Sequence, residues 1–102
     1  MLKGIARKGD KEKNHCSRPK RHGCFRSVFA NGIPVSGHGH KNTKHLFPPK
    51  ICPPPNTCCV HRKPLRATQF KVFAERRLVG RVGDPTCTKV EQGSRNVFVG
   101  NA

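Results

Sequence analysis

The chain has 102 residues, of which 21 are Lys or Arg and only five are Asp or Glu, so its formal net charge at pH 7 is +16. Because 33% of the residues are hydrophobic, length and composition predict one small domain, residues 1–102, with a thin core. The sequence contains no apolar run of about 18 residues, the length that would predict a transmembrane helix. No apolar segment follows the basic N-terminus, as one would in a signal peptide. We therefore expect synthesis in the cytoplasm without a signal peptide.

The first predicted elements are a short strand and a hairpin. The basic, turn-rich N-terminal part of the chain contains one candidate strand, Ile5–Arg7. Residues 27–35 predict a β-hairpin, because the pair Asn31-Gly32 is the strongest short-range signal for a type I′ turn. Pro34 cannot donate a ladder hydrogen bond, which places its strand at an edge.

A long loop and a second hairpin follow. Residues 36–65 contain a Gly-His-Gly-His run and six prolines, and they show no helical period. Residues 69–82 predict the hairpin, with Glu75-Arg76 at its turn. Its first strand alternates, and the pattern places Phe70, Val72 and Ala74 on the buried face. With a last strand near the C-terminus, the sequence predicts a mainly β, loop-rich fold.

A short pattern recurs along the chain, and each copy is associated with a glycine turn. The copies are Val28–Ala30, Val72–Ala74 and Val97–Val99, and the turns are Gly9-Asp10, Gly39-His40 and Gly83-Asp84. Repetition of this kind predicts similar β-units around a common axis, because one unit alone cannot bury its apolar face.

Each turn is followed by a residue that can hold zinc. His15 and His45 lie five positions after Asp10 and His40, and Cys87 lies three positions after Asp84. A fourth ligand is expected from the long loop, where His61 is the best imidazole. Zinc prefers four nitrogen or sulfur ligands in a tetrahedron, and cysteines in a cytosolic product favour metal over disulfides. The sequence therefore predicts one structural zinc ion, which would stabilise a chain with little core.

Other assignments of the His and Cys residues stay open. His22 is an alternative first ligand, and Cys52, Cys58, Cys59 and His61 could form a local site, although they contain no C-x₂-C pair. In an oxidising compartment, Cys16 could pair with Cys24, and Cys52 with Cys58 or Cys59. His38 and His40 are expected to be surface residues of a Gly-rich turn.

The order of these motifs resembles the PAAR-repeat family, whose members form the sharpened tip of phage tail spikes and type VI secretion spikes. The motifs that carry the resemblance cover almost the whole chain: Gly4–Asp10, Val28–Val35, Gly80–Cys87 and Gln92–Gly100. It implies a small cone of short β-hairpins with pseudo-threefold internal repeats, stapled by a zinc near the apex. Carried over residue by residue, the metal ligands fall on His15, His45, His61 and Cys87.

The chain departs from the family pattern at three places. His40 stands where the family has Asp, Gly37 where it has Arg, and Ala67-Thr68 where it has Gly-Ser. The Pro-rich loop is also longer and richer in cysteine than the family pattern.

The resemblance implies a mechanical function. One copy would cap the trimeric β-helical central spike of a contractile injection machine, in the baseplate of a phage virion or in a secretion system, and would help to pierce the bacterial envelope. The high positive charge favours transient contact with lipopolysaccharide and non-specific attraction of nucleic acid. No catalysis is expected, because a zinc hydrolase needs a general base and none of the five carboxylates lies in a His-rich motif.

The alternative is a small basic zinc-stabilised nucleic-acid-binding protein. The charge and the six Phe residues favour it. Against it, the Phe residues fall on strand positions, where packing in the core is the default, and they form no stacking platform with Lys or Arg.

Overall fold

The computed structural model describes residues 2–14, 18–43 and 62–100. The strands in these ranges are β1 (Lys3–Gly4), β2 (Phe29–Ala30), β3 (Ile33–Pro34), β4 (Phe73–Ala74), β5 (Arg77–Leu78) and β6 (Phe98–Val99). They form three antiparallel pairs, β1–β6, β2–β3 and β4–β5. Among the described residues there is no helix, and so none long and apolar enough to cross a membrane. The prediction of a small, mainly β fold built from short hairpins is confirmed.

The first hairpin forms as predicted. Phe29 pairs with Pro34 and Ala30 with Ile33 across β2 and β3. The two turn residues, Asn31 and Gly32, have φ angles of 57° and 73°. Positive φ at both central positions is the geometry of a type I′ turn, which Asn and Gly adopt at low cost.

The second hairpin has the predicted turn but shorter strands. Glu75 and Arg76 occupy the turn with φ angles of 48° and 67°, a left-handed conformation that is costly for residues other than Gly. The carboxylate of Glu75 offsets part of this cost: its Oε2 accepts bonds from the backbone N–H groups of Arg26 (2.9 Å) and Ser27 (2.8 Å) and from the Ser27 hydroxyl (2.7 Å). The Ser27 hydroxyl is the main cause that lowers the pKa of Glu75 below its ordinary value.

The predicted burial of the strand before this turn is wrong at two of its three positions. Phe70 and Val72 are 67% and 41% exposed, and only Ala74 is buried. Gln69 is buried instead, and its side-chain amide accepts bonds from the backbone N–H groups of Lys71 and Val72, both at 2.9 Å. This side chain turns the backbone immediately before β4, so the two-residue alternation cannot begin at residue 69.

The third pair joins the two ends of the chain. β1 pairs with β6 in the register Lys3 with Val99 and Gly4 with Phe98. The strand predicted at Ile5–Arg7 is therefore displaced toward the N-terminus, because Ile5 forms a bridge to Arg81 and Arg7 a bridge to Val35.

Three backbone segments, which follow β1, β3 and β5, are joined by a ring of hydrogen bonds. The N–H of Ala6 donates to Gly80 O, that of Ser36 to Ala6 O, and that of Gly80 to Ser36 O, each at 2.9 Å. All three residues are buried. A Cβ at Gly80 would lie 2.7 Å from the Leu65 Cδ1 atom and 3.0 Å from Ser36 O, so the crowded centre of the ring requires the smallest residue there.

The apolar core consists of two clusters. The larger one contains Ile5, Phe25, Ala30, Val35, Ala74, Val79 and Val99, and the smaller one contains Ala6, Leu65, Ala67 and Val90. The inward residues of β2, β4 and β6 all belong to the larger cluster, which brings the three hairpin strands together around one core.

Candidate functional site

Three similar turns follow the ring segments, at the positions where the repeat predicts them. In two of them an aspartate accepts the backbone N–H three residues earlier: Asp10 Oδ2 from Arg7 at 2.8 Å and Asp84 Oδ2 from Arg81 at 2.9 Å. In the third, the Nδ1 atom of His40 accepts the N–H of Gly37 at 2.9 Å. An imidazole therefore replaces a carboxylate in the same structural role.

The expectation that His40 is a surface residue is met only in part. It is half-buried, and its ring meets that of Phe25 edge-on at a centroid distance of 4.7 Å. Burial, followed by the nearby charges of Arg77 and Arg21, lowers the pKa of His40 below its ordinary value of 6.5. The neutral imidazole is the form that can accept at Nδ1. His38 is exposed as expected.

A buried polar network lies beside Cys87. The carboxylate of Glu12 accepts bonds from Arg21 Nη1 at 2.7 Å, from Asn42 Nδ2 at 2.9 Å and from Thr86 Oγ1 at 2.9 Å. The side chains of Glu12 and Arg21 are both 0% exposed. We call Glu12, Arg21, Asn42, Ser36 and Thr86 the polar network.

Arg21 connects the polar network to the ring and to the His40 turn. Its Nε donates to Ser36 Oγ at 3.1 Å, and its Nη2 donates to the carbonyl of His40. Burial lowers the pKa of the Arg21 guanidinium, and the bond to Glu12 opposes that shift. A buried charge of this kind is tolerated only because a counter-charge and several acceptors surround it.

Asn42 brings the polar network to Cys87. Its Nδ2 donates to Cys87 Sγ at 3.5 Å, and its Oδ1 accepts the backbone N–H of Lys63 at 2.8 Å. The backbone N–H of Lys13 donates to Lys89 O at 2.9 Å. The described residues that flank 15–17 and 44–61 thus lie together around the loop that carries Cys87.

Of the predicted zinc ligands, the structure places only Cys87 and the alternative ligand His22. Cys87 is half-buried beside the polar network, and the side chain of His22 is exposed. His15, His45 and His61 lie outside the described residues, as do Cys16, Cys52, Cys58 and Cys59. Within residues 2–14, 18–43 and 62–100, no group of three or more His, Cys, Asp and Glu side chains is arranged to hold a metal ion.

Sequence reasoning missed the polar network. Its members lie far apart in the chain, and Asn, Ser and Thr are ordinary loop residues. The only signal was Glu12, an acid among many cations, and an isolated acid in a basic chain is more often a solvated residue than a buried one.

The exposed apolar side chains are concentrated on the hairpins. We call this set the hairpin face: Leu2, Phe29, Phe70, Val72, Phe73, Val97 and Phe98. All seven lie in β1, β2, β4 or β6 or within three residues of these strands. The expectation that strand phenylalanines pack in the core is wrong here: Phe29, Phe73 and Phe98 are 57%, 59% and 49% exposed. The inward positions are taken by the small residues Ala30, Ala74 and Val99, so each neighbouring Phe points outward.

Comparisons with protein-family models and with curated proteins find no match to this chain.

Proposed function

We propose that this protein is a tip protein that caps the trimeric β-helical central spike of a contractile injection machine and helps it to pierce a bacterial envelope. The observation that carries the proposal is the hairpin face. Large apolar side chains left in water are unfavourable, so a partner that covers several of them would gain free energy on binding. Here, such side chains come from all three strand pairs, whose inner residues share one core.

A threefold partner is supported by the arrangement of the hairpins. The outward Phe29, Phe73 and Phe98 occupy corresponding positions in their strand pairs. The segments that follow β1, β3 and β5 are joined by a ring of three hydrogen bonds of equal length. A single chain with pseudo-threefold repeats could present three similar surfaces to the end of a trimer, and this is the symmetry that such a contact needs. We propose a cone with one copy per trimer.

We further propose that His15, His45 and His61 join Cys87 in holding one structural zinc ion. The support is that Asn42 is hydrogen-bonded to Glu12, to the backbone of Lys63 and to Cys87, and that Glu12, Asn42 and Lys63 each lie within three residues of one of these histidines. Three imidazoles and one thiolate suit a closed tetrahedral site. Zinc there would cross-link distant segments of a chain with little core and make the tip rigid.

The zinc proposal is tested by metal analysis with X-ray absorption. We expect one zinc ion per chain with three nitrogen ligands and one sulfur ligand, and a Cys87→Ser protein with reduced occupancy. The exposed His22 offers a matched control, since His22→Ala should retain the metal. A sulfur-rich shell, or full occupancy without the Cys87 thiol, would contradict this ligand set.

The proposed role needs no catalysis. A protein of this kind would act at the spike tip of a phage tail baseplate or of a secretion system. Its charge of +16 would favour brief contact with lipopolysaccharide phosphates.

The docking proposal is tested with trimeric β-helical spike tips from phage tails and type VI systems as probes. Native mass spectrometry should find one copy per three spike chains. Replacing Phe29, Phe73 and Phe98 together by Ser should weaken binding by at least about tenfold, since buried aromatic side chains dominate such interfaces. Replacing the exposed residues Lys8, Lys20 and Lys89 by Ser is the matched control and should change the affinity little. Equal loss in both triple variants would refute docking through the hairpin face.

Nucleic-acid binding is the second candidate, favoured by the exposed rings of Phe70 and Phe73, which are close in the sequence to exposed Lys71. Aromatic rings beside cations can stack on single-stranded bases. Contact with a spike should be only weakly salt-sensitive, whereas phosphate contacts weaken steeply with salt. Titrations at about 50 and 300 mM salt separate the two. Tight, salt-resistant RNA or DNA binding, with no affinity for any spike, would overturn the tip proposal.

A further inference from the structure

We infer that Asn42, held in orientation by Glu12, is a positioning residue for the Cys87 sulfur and donates a hydrogen bond to the metal-bound thiolate. The inference rests on the proposed zinc site and goes beyond its ligands. It follows from the bond between Asn42 Nδ2 and Cys87 Sγ at 3.5 Å, a length suited to the large sulfur atom.

The Asn42 side chain has only one orientation that satisfies its neighbours. Nδ2 donates to both Glu12 Oε1, at 2.9 Å, and Cys87 Sγ, and Oδ1 accepts the Lys63 N–H at 2.8 Å. Rotating the amide by 180° would place its oxygen against the Glu12 carboxylate and its NH₂ group against the Lys63 N–H. Both contacts would be repulsive, and Asn42 is fully buried, so water cannot relieve them.

Glu12 also holds the loop that carries Cys87. Its Oε1 accepts the Thr86 hydroxyl at 2.9 Å, and Thr86 Oγ1 in turn accepts the backbone N–H of Thr88 at 3.0 Å. The residues before and after Cys87 are therefore tied to the same carboxylate that orients Asn42. Arg21 keeps this carboxylate in place with a bond of 2.7 Å. Hydrogen bonds therefore fix the Cys87 loop and the donor Asn42 in position without a metal.

Such a bond has a definite chemical effect. An N–H that donates to a thiolate draws electron density from sulfur and lowers its donation to a bound metal. Partners of this outer kind orient metal ligands, and their loss typically weakens metal affinity about 10- to 100-fold. A residue that only stabilised the fold would change the unfolding transition but would not change the electronic state of the sulfur.

The test uses Co²⁺ in place of zinc in the full chain, because the sulfur-to-cobalt charge-transfer band reports on the thiolate. Asn42→Ala should move this band to lower energy and weaken Co²⁺ binding about 10- to 100-fold. Ser36→Ala is the matched control: it removes buried bonds to Arg21 and the Gly23 carbonyl without touching Cys87. The control should unfold more easily than the parent but keep the band unchanged. An Asn42→Ala protein with the parental band and affinity would overturn the inference.

A measurement on the unaltered sequence covers the case in which Asn42→Ala does not fold. In protein loaded with ¹¹³Cd, a scalar coupling between the cadmium nucleus and an Asn42 side-chain amide proton should pass through the sulfur. Coupling from the metal to the Cys87 β-protons without coupling to Asn42 would refute the positioning role and leave the zinc site intact. Failure to find Cys87 β-proton coupling would refute the zinc site itself, and the inference with it.

Discussion

The hairpin face and the polar network contrast in the forces that hold them and in what they leave exposed. Around the hairpins, small inward residues such as Ala30 and Ala74 share one apolar core, and large rings point into water. In the polar network, a full-sized ion pair is completely buried. Apolar burial is non-directional and tolerates adjustment, whereas a buried carboxylate with three donors specifies the position of each partner. We propose that the hairpin face binds a partner, whereas the polar network fixes the positions of its own side chains.

The largest loss of stability is expected when one charge of the buried ion pair is left without its partner. Arg21→Met removes the counter-charge of Glu12, and we expect the free energy of unfolding to fall by about 3–5 kcal/mol. Adding Glu12→Gln should restore much of the loss, because the remaining groups are then neutral. Equilibrium urea unfolding measures both. If the single variant were as stable as the parent chain, the ion pair would not be buried as described.

Two valines of one hairpin differ in burial, and their replacement by Ala compares buried with exposed apolar side chains. Val79 is 1% exposed and Val72 is 41% exposed, and the two are joined by a backbone bond of 3.1 Å. Val79→Ala should cost about 2 kcal/mol through lost burial and a cavity, and Val72→Ala less than about 0.5 kcal/mol. The same urea titration separates them. Equal losses would mean that the core does not extend as far as Val79.

Of the three turns, only the His40 turn can lose its hydrogen-bond acceptor, the Nδ1 atom of His40, near neutral pH. The pKa of His40 is lowered in the folded chain, mainly by burial and then by Arg77 and Arg21, whereas Glu75 opposes the shift. The unfolded chain therefore binds the proton first. The stability contributed by neutral His40 is complete above about pH 6.5, the ordinary value, and is lost as the pH falls toward the lower folded pKa.

The loss should be about that of one hydrogen bond, on the order of 1 kcal/mol. It is measured as the difference in stability between the parent and His40→Asp across pH 5–7, because Asp10 and Asp84 show that a carboxylate can close this turn. The variant should lack this part of the pH dependence. Parallel pH profiles would show that His40 does not keep its acceptor role in solution.

A small effect is also expected for an ion pair outside the polar network. Arg18 and Glu91 form an ion pair whose side chains are 44% and 45% exposed. Arg18→Ala should change the free energy of unfolding by at most about 1 kcal/mol, and by less at high salt. A loss comparable to that of Arg21→Met would erase the distinction between buried and exposed pairs.

The sequence by itself determined the features that depend on local conformation. Asn31-Gly32 and Glu75-Arg76 form the predicted hairpin turns, and the glycines at 9, 39 and 83 all have positive φ. The Asn31-Gly32 turn and the glycine turns follow from the preferences of a few neighbouring residues. The Glu75-Arg76 turn depends also on the contacts of Glu75 with Arg26 and Ser27. The proposed ligand set His15, His45, His61 and Cys87 also comes from the sequence, through the repeat spacing and the family resemblance, and it stays a prediction.

Only the tertiary structure decided which side chains are inside. Gln69 is buried while Phe70 is exposed, and Glu12 is buried with Arg21 while Glu75 and Glu91 are exposed. The two-residue alternation that predicts burial holds only in a continuous strand, and here each strand spans two residues. The pairing of Glu12, Asn42 and Cys87 joins segments 30 and 45 positions apart. Contacts over such distances depend on how the ring closes, which no local preference encodes.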